Sequence, residues 1–425
     1  MKKSTKGSAE TEAEVSSWRK YCRRIGLQRN VKYGLAIAVV LSLPFVYLLS
    51  REMTVESYDP LPSEGHYLSA AARSFVGPGD GLPIGHVDTP PFVRGIYVSA
   101  ATAGYSQRFD QLIEMVDRTD LNAMVIDVKD GNGALSFEPE SDALKPFMAR
   151  RPELGHLKDF TAPLKEKGIY LIARIFVFQD PTLAEARPEL AIARTTGGLW
   201  RDYRGIPWLD SASKEVWKYN VAVAREVYWG GFDEVQFDYI RFPSDGDLST
   251  MSYPVWDRTE SKSQVMAGFF SYIDKELRVM VGLPISVDLF GLTMWQHEFD
   301  MNIGQKLSDA LPHFNFISPM VYPSHYPPGF NGYPNPADRP YDVVYLNLVR
   351  GQELRQQLTD ERSGQADLGS FRPWIQDFDL GAVYTPALVQ AQMRASEDGG
   401  ASGWLLWNAR NVYTVEALGT GEQDN

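Results

Sequence analysis

The side chains best placed for chemistry are charged residues at the ends of short apolar runs. VIDVKD (125–130) closes on Asp127, Lys129 and Asp130, and ARIFVFQD (173–180) carries Arg174 and runs out at Gln179 and Asp180. QFDYIRFP (236–243) puts Gln236 and Asp238 on one face, with Arg241 just beyond. SVDLFG (286–291) gives Asp288, SPMVYPSHY (318–326) gives Met320, Tyr322 and His325, WIQDFD (374–379) gives Gln376 and Asp377, and LLWNAR (405–410) gives Trp407 and Asn408. Asp is a poor strand residue and costly to bury unpaired. A single Asp in such a place caps a helix or closes a turn. A set of them, with a Lys and two Arg nearby, is harder to explain as caps. Carboxylates facing one cavity raise each other's pKa while cations lower it, so one acid can stay protonated beside an ionised one at neutral pH.

Such a set needs a frame that brings many strand ends together. From residue 92 onward, β-branched and aromatic runs alternate with amphipathic stretches, the pattern of parallel strands joined by crossover helices. The expected strands are Phe92–Ser99, Ala123–Val128, Tyr170–Phe178, Glu234–Ile240, Ile285–Phe290, Phe316–Tyr322, Arg372–Asp377 and Gly403–Trp407. Helices are expected at Ser106–Arg118, Leu157–Lys167, Lys214–Trp229, Lys262–Val281, Val343–Leu358 and Pro386–Glu397. Eight such steps predict an α/β fold, a (β/α)₈ TIM barrel over 92–418, whose active site would lie at the C-terminal strand ends. The connection from Gln179 to Asp233 is long enough for an extra helix and a surface loop. No Gly-x-Gly-x-x-Gly follows the first run, which argues against a doubly wound sheet.

The flanks differ from this body. Residues 1–32 hold nine Lys/Arg against three Glu, a net of +6, so the rest of a chain of net charge −12 carries −18. An acidic body argues against nucleic acid as a partner. Residues 33–50 (YGLAIAVVLSLPFVYLLS) are uncharged and just long enough to span a bilayer. The positive charge before them predicts a single-pass cell-membrane anchor with a cytoplasmic N-terminus and an extracytoplasmic body. A cleaved signal peptide is the competing reading. Residues 51–91, rich in Pro and Gly, read as a spacer, and 419–425 as a polar tail. The one cysteine, Cys22, lies in the basic tail, so an intrachain disulfide is excluded.

VRGIYVSA (93–100), VIDVKD-x-x-G (125–133), EVQFDYIRFPSDG (234–246) and SPMVYPSHY (318–326) together resemble a bacterial family of uncharacterised glycoside-hydrolase-like proteins, itself similar to the TIM-barrel hydrolases around the α-amylases. The resemblance covers roughly 92–415. It implies a glycan-acting barrel with Asp238 at the nucleophile position after the fourth strand. The α-amylase pattern has a Glu acid after the fifth strand and a further Asp after the seventh; the nearest residues here are Asp288 and Asp377. Glycoside hydrolysis needs one carboxylic acid to protonate the leaving oxygen and one carboxylate to attack or to activate water. Strands about 4.8 Å apart can bring two carboxyls within the roughly 5–5.5 Å of retaining enzymes. Asp238 is therefore expected as nucleophile and Asp288 as general acid/base. Arg174 and Lys129 would keep Asp238 ionised, Asp377 or Asp127 would bind sugar hydroxyls, and Gln376 and Arg241 complete the polar set.

Aromatic rings stack on the apolar faces of sugars, and Trp208, Tyr322 and Trp407 are the expected platforms for a polysaccharide or cell-wall glycan. No cofactor or metal is expected. His297-Glu298 starts a zincin-like string, but Met301 stands where the second His belongs. The turns at 130–133 and 245–247 offer oxygen ligands yet match no EF-hand loop. The rival to an enzyme is a barrel that keeps a carbohydrate groove without turnover, an envelope receptor or scaffold.

Overall fold

The computed structural model describes residues 85–361 and 367–420. The expected membrane anchor, the basic tail and most of the spacer lie outside the described residues. Among the described residues no helix is long and apolar enough to cross a membrane.

Eight parallel strands form a closed barrel: β1 (Val93–Val98), β2 (Ala123–Lys129), β3 (Tyr170–Phe176), β4 (Glu234–Asp238), β5 (Ile285–Phe290), β6 (Phe316–Met320), β7 (Trp374–Gln376) and β8 (Gly403–Trp407). Neighbours in sequence are neighbours in the sheet, and the β8–β1 pairing, with Val93 opposite Gly403, closes the ring. The weakest seam is β6–β7. Ser370–Phe371 pairs with β6, Pro373 offers no N–H, and β7 then rejoins β6 through Trp374 opposite Met320. The seventh strand is accordingly shorter than its apolar run.

Helices α1 (Ser106–Arg118), α2 (Leu157–Glu166), α3 (Lys214–Trp229), α4 (Lys262–Ile273), α5 (Pro340–Glu361) and α6 (Pro386–Asp398) wrap the outside. Their starts were written locally: Ser213 caps α3, Ser261 and Gln264 form a capping box on α4, and Pro340 and Pro386 stand in first turns. The stretch expected as one helix to Val281 changes at Asp274 into a π turn. The long connection after β3 holds a short helix (Pro181–Ala186) and Ala193–Arg194, which pairs antiparallel with Met251–Ser252. That pair ties the loops after β3 and β4 into one rim.

Side chains alternate across each strand, so every second residue enters the barrel. Val93, Val125, Ile172, Leu405 and Trp374 fill its middle. At the N-terminal end, Glu234 accepts hydrogen bonds from the Tyr170 hydroxyl (2.9 Å) and the Ser286 hydroxyl (2.5 Å) and pairs with Arg372. This buried charge is compensated within its own layer and leaves the opposite end for a second polar set.

Candidate active site

Arg174 organises the C-terminal mouth. It lies on the inward face of β3, opposite Asp127 on β2 and Gln236 on β4. Its Nη1 donates to Asp127 Oδ1 at 2.8 Å, its Nη2 to Asp238 Oδ2, and its Nε approaches Asp288 Oδ2 at 3.4 Å. Three expected site carboxylates therefore meet on one guanidinium, which lies 4.6 Å from the Phe176 ring and 5.1 Å from that of Trp407. Burial works against the Arg174 charge, but Asp238, Asp127 and Asp288 outweigh it and raise its pKa well above the ordinary value.

The carboxylates differ in their other partners. Asp238 Oδ1 accepts the Tyr239 backbone N–H at 2.6 Å. Tyr239 has φ +53°, a left-handed conformation that a bulky residue rarely adopts; it ends β4 two residues before the expected stop and stacks on Phe176 with ring centroids 4.2 Å apart. Asp127 Oδ2 accepts the Tyr97 hydroxyl at 2.5 Å. Burial lifts the Asp127 pKa to about 6 despite Arg174 and Tyr97. Asp288 Oδ1 accepts the Trp374 indole N–H at 2.7 Å. Burial, then the nearby Asp238 charge, raises its pKa well above the usual carboxylate range. A carboxyl whose pKa is raised thus stands beside the Asp238 carboxylate paired with Arg174, the kind of asymmetry that acid–base chemistry uses. The set is deep: Asp127 is 3%, Asp238 5% and Asp288 1% exposed.

Of the other expected residues, two keep a place at the mouth. Trp407 is half-buried and stacks on Tyr97 at 4.1 Å, and Arg241 is half-buried, 4.8 Å from the Trp208 ring and 5.1 Å from that of Phe290. Tyr322 also faces inward but is almost covered, edge-on to His325 and Phe378.

Four expectations are corrected. Lys129 is fully buried on the opposite face from Asp127, donating to Asp180 at 2.8 Å and Asn220 at 3.1 Å. Strict alternation would put residues 127 and 129 on one face, but the register of β2 against β3 shifts between them, and the bulge turns Lys129 outward. The space beside Asp180 is closed: a Cβ on Gly133, at φ +73°, would lie 2.1 Å from its Oδ1. Asp377 accepts the Thr414 N–H (2.8 Å) and hydroxyl (2.7 Å), fastening the C-terminal segment rather than facing the cavity. Gln376 is fully buried and spends its amide on the backbone of Phe378 and Ser324. Trp208 is buried with its N–H on Asp202 at 3.0 Å, a wall under Arg241 and not an open platform. In each case the polar group found a nearer structural partner.

Tyr97 and Trp374 join the site without having been expected there. Both sit on inward positions of their strands, and the alternation that marks Trp374 as buried also aims it at Asp288. The left-handed turn at Tyr239 left no sequence signal.

The glycoside hydrolase domain of PgaB (BpsB) from Bordetella bronchiseptica shares the fold, with 14% identity over 75% of this chain and 94% of that one and a TM-score of 0.51. A hypothetical protein from Ruminiclostridium thermocellum is 31% identical, covering 45% of this chain and 96% of its own, with a TM-score of 0.41. No curated protein matches. Residues 95–413 match the family DUF4015, described as "Putative glycosyl hydrolase domain", and the chain belongs to that family.

Proposed function

We propose that the protein hydrolyses glycosidic bonds of a polysaccharide or cell-wall glycan, with Asp238 as nucleophile and Asp288 as general acid/base. The observation that carries this reading is the meeting of both carboxyls, from adjacent strands, on Arg174 inside the barrel mouth. Asp288 Oδ2–H protonates the glycosidic oxygen as the Asp238 carboxylate attacks the anomeric carbon. Water activated by the Asp288 carboxylate then releases the sugar and restores both groups. Asp127 and Arg241 would bind sugar hydroxyls, and Trp407 would stack on a ring. The test is reducing-end release from purified envelope glycans by the full-length chain. Wild type should release product, and Asp238→Asn and Asp288→Asn should fall by about 10³-fold or more while staying folded at the assay temperature. Full turnover in either variant removes the assignment.

The depth of the three carboxylates favours a second reading, a barrel that binds glycan without cleaving it; glycan binding with no product from wild type would select it. We also propose that residues 33–50 anchor the chain in the cell membrane with the barrel outside, a reading supported by their uncharged sequence and the preceding +6. Protease protection in intact cells and spheroplasts tests it.

A further inference from the structure

Trp374 was built into the barrel interior with no freedom to turn. It is 1% exposed, its backbone sits in the seam between β6 and β8, and its ring stands edge-on to Trp407 (5.5 Å, 88°) and Tyr97 (6.5 Å, 75°). An indole nitrogen donates and never accepts. The Asp288 oxygen it touches, Oδ1, is therefore an acceptor in either protonation state. Among the described residues the other oxygen, Oδ2, accepts only the longer 3.4 Å hydrogen bond from Arg174 Nε, on the side where Arg174 also holds Asp238.

We infer that Trp374 is a positioning residue that fixes Oδ1 as the carbonyl oxygen of Asp288 and so places the acid proton on Oδ2, the oxygen facing Arg174 and Asp238. This deepens the hydrolytic reading and rests on it. In the first step the Oδ2–H bond breaks, the proton passes to the glycosidic oxygen, and that oxygen leaves as the free hydroxyl of the departing sugar. Asp288 is left as a carboxylate still held by the indole at Oδ1. In the second step Oδ2 takes a proton from the attacking water. Without the indole N–H the proton can reside on either oxygen, and only one of them serves.

Trp374→Phe removes the N–H. A second variant, with the benzothiophene analogue of tryptophan at 374, removes it while keeping the ring size, which covers the case of a phenylalanine variant that does not fold. Glycan cleavage, whose leaving group needs protonation, should fall about tenfold or more in kcat/KM, part of the range that general acid catalysis contributes. Release of dinitrophenol from an activated glycoside of the sugar the wild type cleaves should stay within about twofold of wild type, because dinitrophenolate leaves unprotonated. The N–H favours the ionised carboxyl, so its loss should also move the basic limb of the glycan profile to higher pH. Equal losses on both substrates with an unmoved limb would mean a structural role and overturn the inference.

A readout independent of turnover separates this inference from the hydrolytic reading. In infrared spectra of the full-length chain in D₂O, the protonated-carboxyl band that disappears in Asp288→Asn should shift in both Trp374 variants, since its carbonyl has lost a donor. A band at the same frequency and with the same pH midpoint overturns the inference even if the enzyme is active. A shifted band in a protein that cleaves no glycan upholds the proton placement and fails the hydrolytic reading instead.

Discussion

Arg174 and Asp238, on adjacent barrel strands, form an ion pair whose side chains are both more than nine-tenths buried. The same guanidinium bonds Asp127 and approaches Asp288, so a single cation sits among three carboxylates. Removing one side of a buried pair costs more than the pair contributes, because the charge left behind has neither water nor partner.

Arg174→Gln should therefore destabilise the barrel by about 3–5 kcal/mol at neutral pH. Without the cation Asp127 and Asp288, both already raised by burial, titrate higher still. The deficit should shrink toward pH 4, where protonation removes the uncompensated charge, and grow as pH rises. Urea unfolding at pH 4.5 and pH 8 checks the direction; a deficit independent of pH would contradict it.

Asp127 makes a stability prediction of its own. Its folded pKa is raised to about 6, chiefly by burial, above the ordinary value of 3.8. A raised carboxyl contributes stability that is fully present below its unfolded pKa and is lost as pH climbs through the folded one. About two units at ~1.4 kcal/mol each is about 3 kcal/mol, lost between roughly pH 4 and 6. Asp127→Asn has no proton to lose, so relative to wild type it should be about 3 kcal/mol more favourable at pH 8 than at pH 4. Parallel stability curves for the two proteins would refute this.

Lys129 should matter for folding and not for turnover. Lys129→Met leaves Asp180 buried and unpaired, at a cost of about 3–5 kcal/mol. Lys129→Met with Asp180→Asn should recover part of that cost. At temperatures where the single variant stays folded, kcat should remain within about threefold of wild type. A loss comparable to that of Asp238→Asn would return Lys129 to the site.

The Lys129 result shows where sequence patterning stops being informative. Eight apolar runs of the right length and spacing announce the barrel, and the inward parity of Asp127, Arg174, Asp238 and Asp288 announces their meeting. Parity fails wherever the backbone departs from a regular strand. The bulge in β2 turns Lys129 outward, and neither VIDVKD nor its neighbours encodes that shift in residue type. Asp377 was misjudged for a different reason: its partner, Thr414, lies 37 residues away, and nothing local marks the contact. Nothing local marks Trp374 as a donor to Asp288, because its acceptor belongs to a strand two places round the barrel.

Azide rescue probes the roles of Asp238 and Asp288 most directly, since the small anion can replace a missing carboxylate in either step. For a retaining two-carboxylate enzyme, Asp238→Ala with azide should yield a glycosyl azide of anomeric configuration opposite to the substrate. Asp288→Ala should yield one that keeps it. Rates unaffected by azide in both variants, or the same configuration from both, would contradict the assignment of nucleophile and acid/base to these two residues.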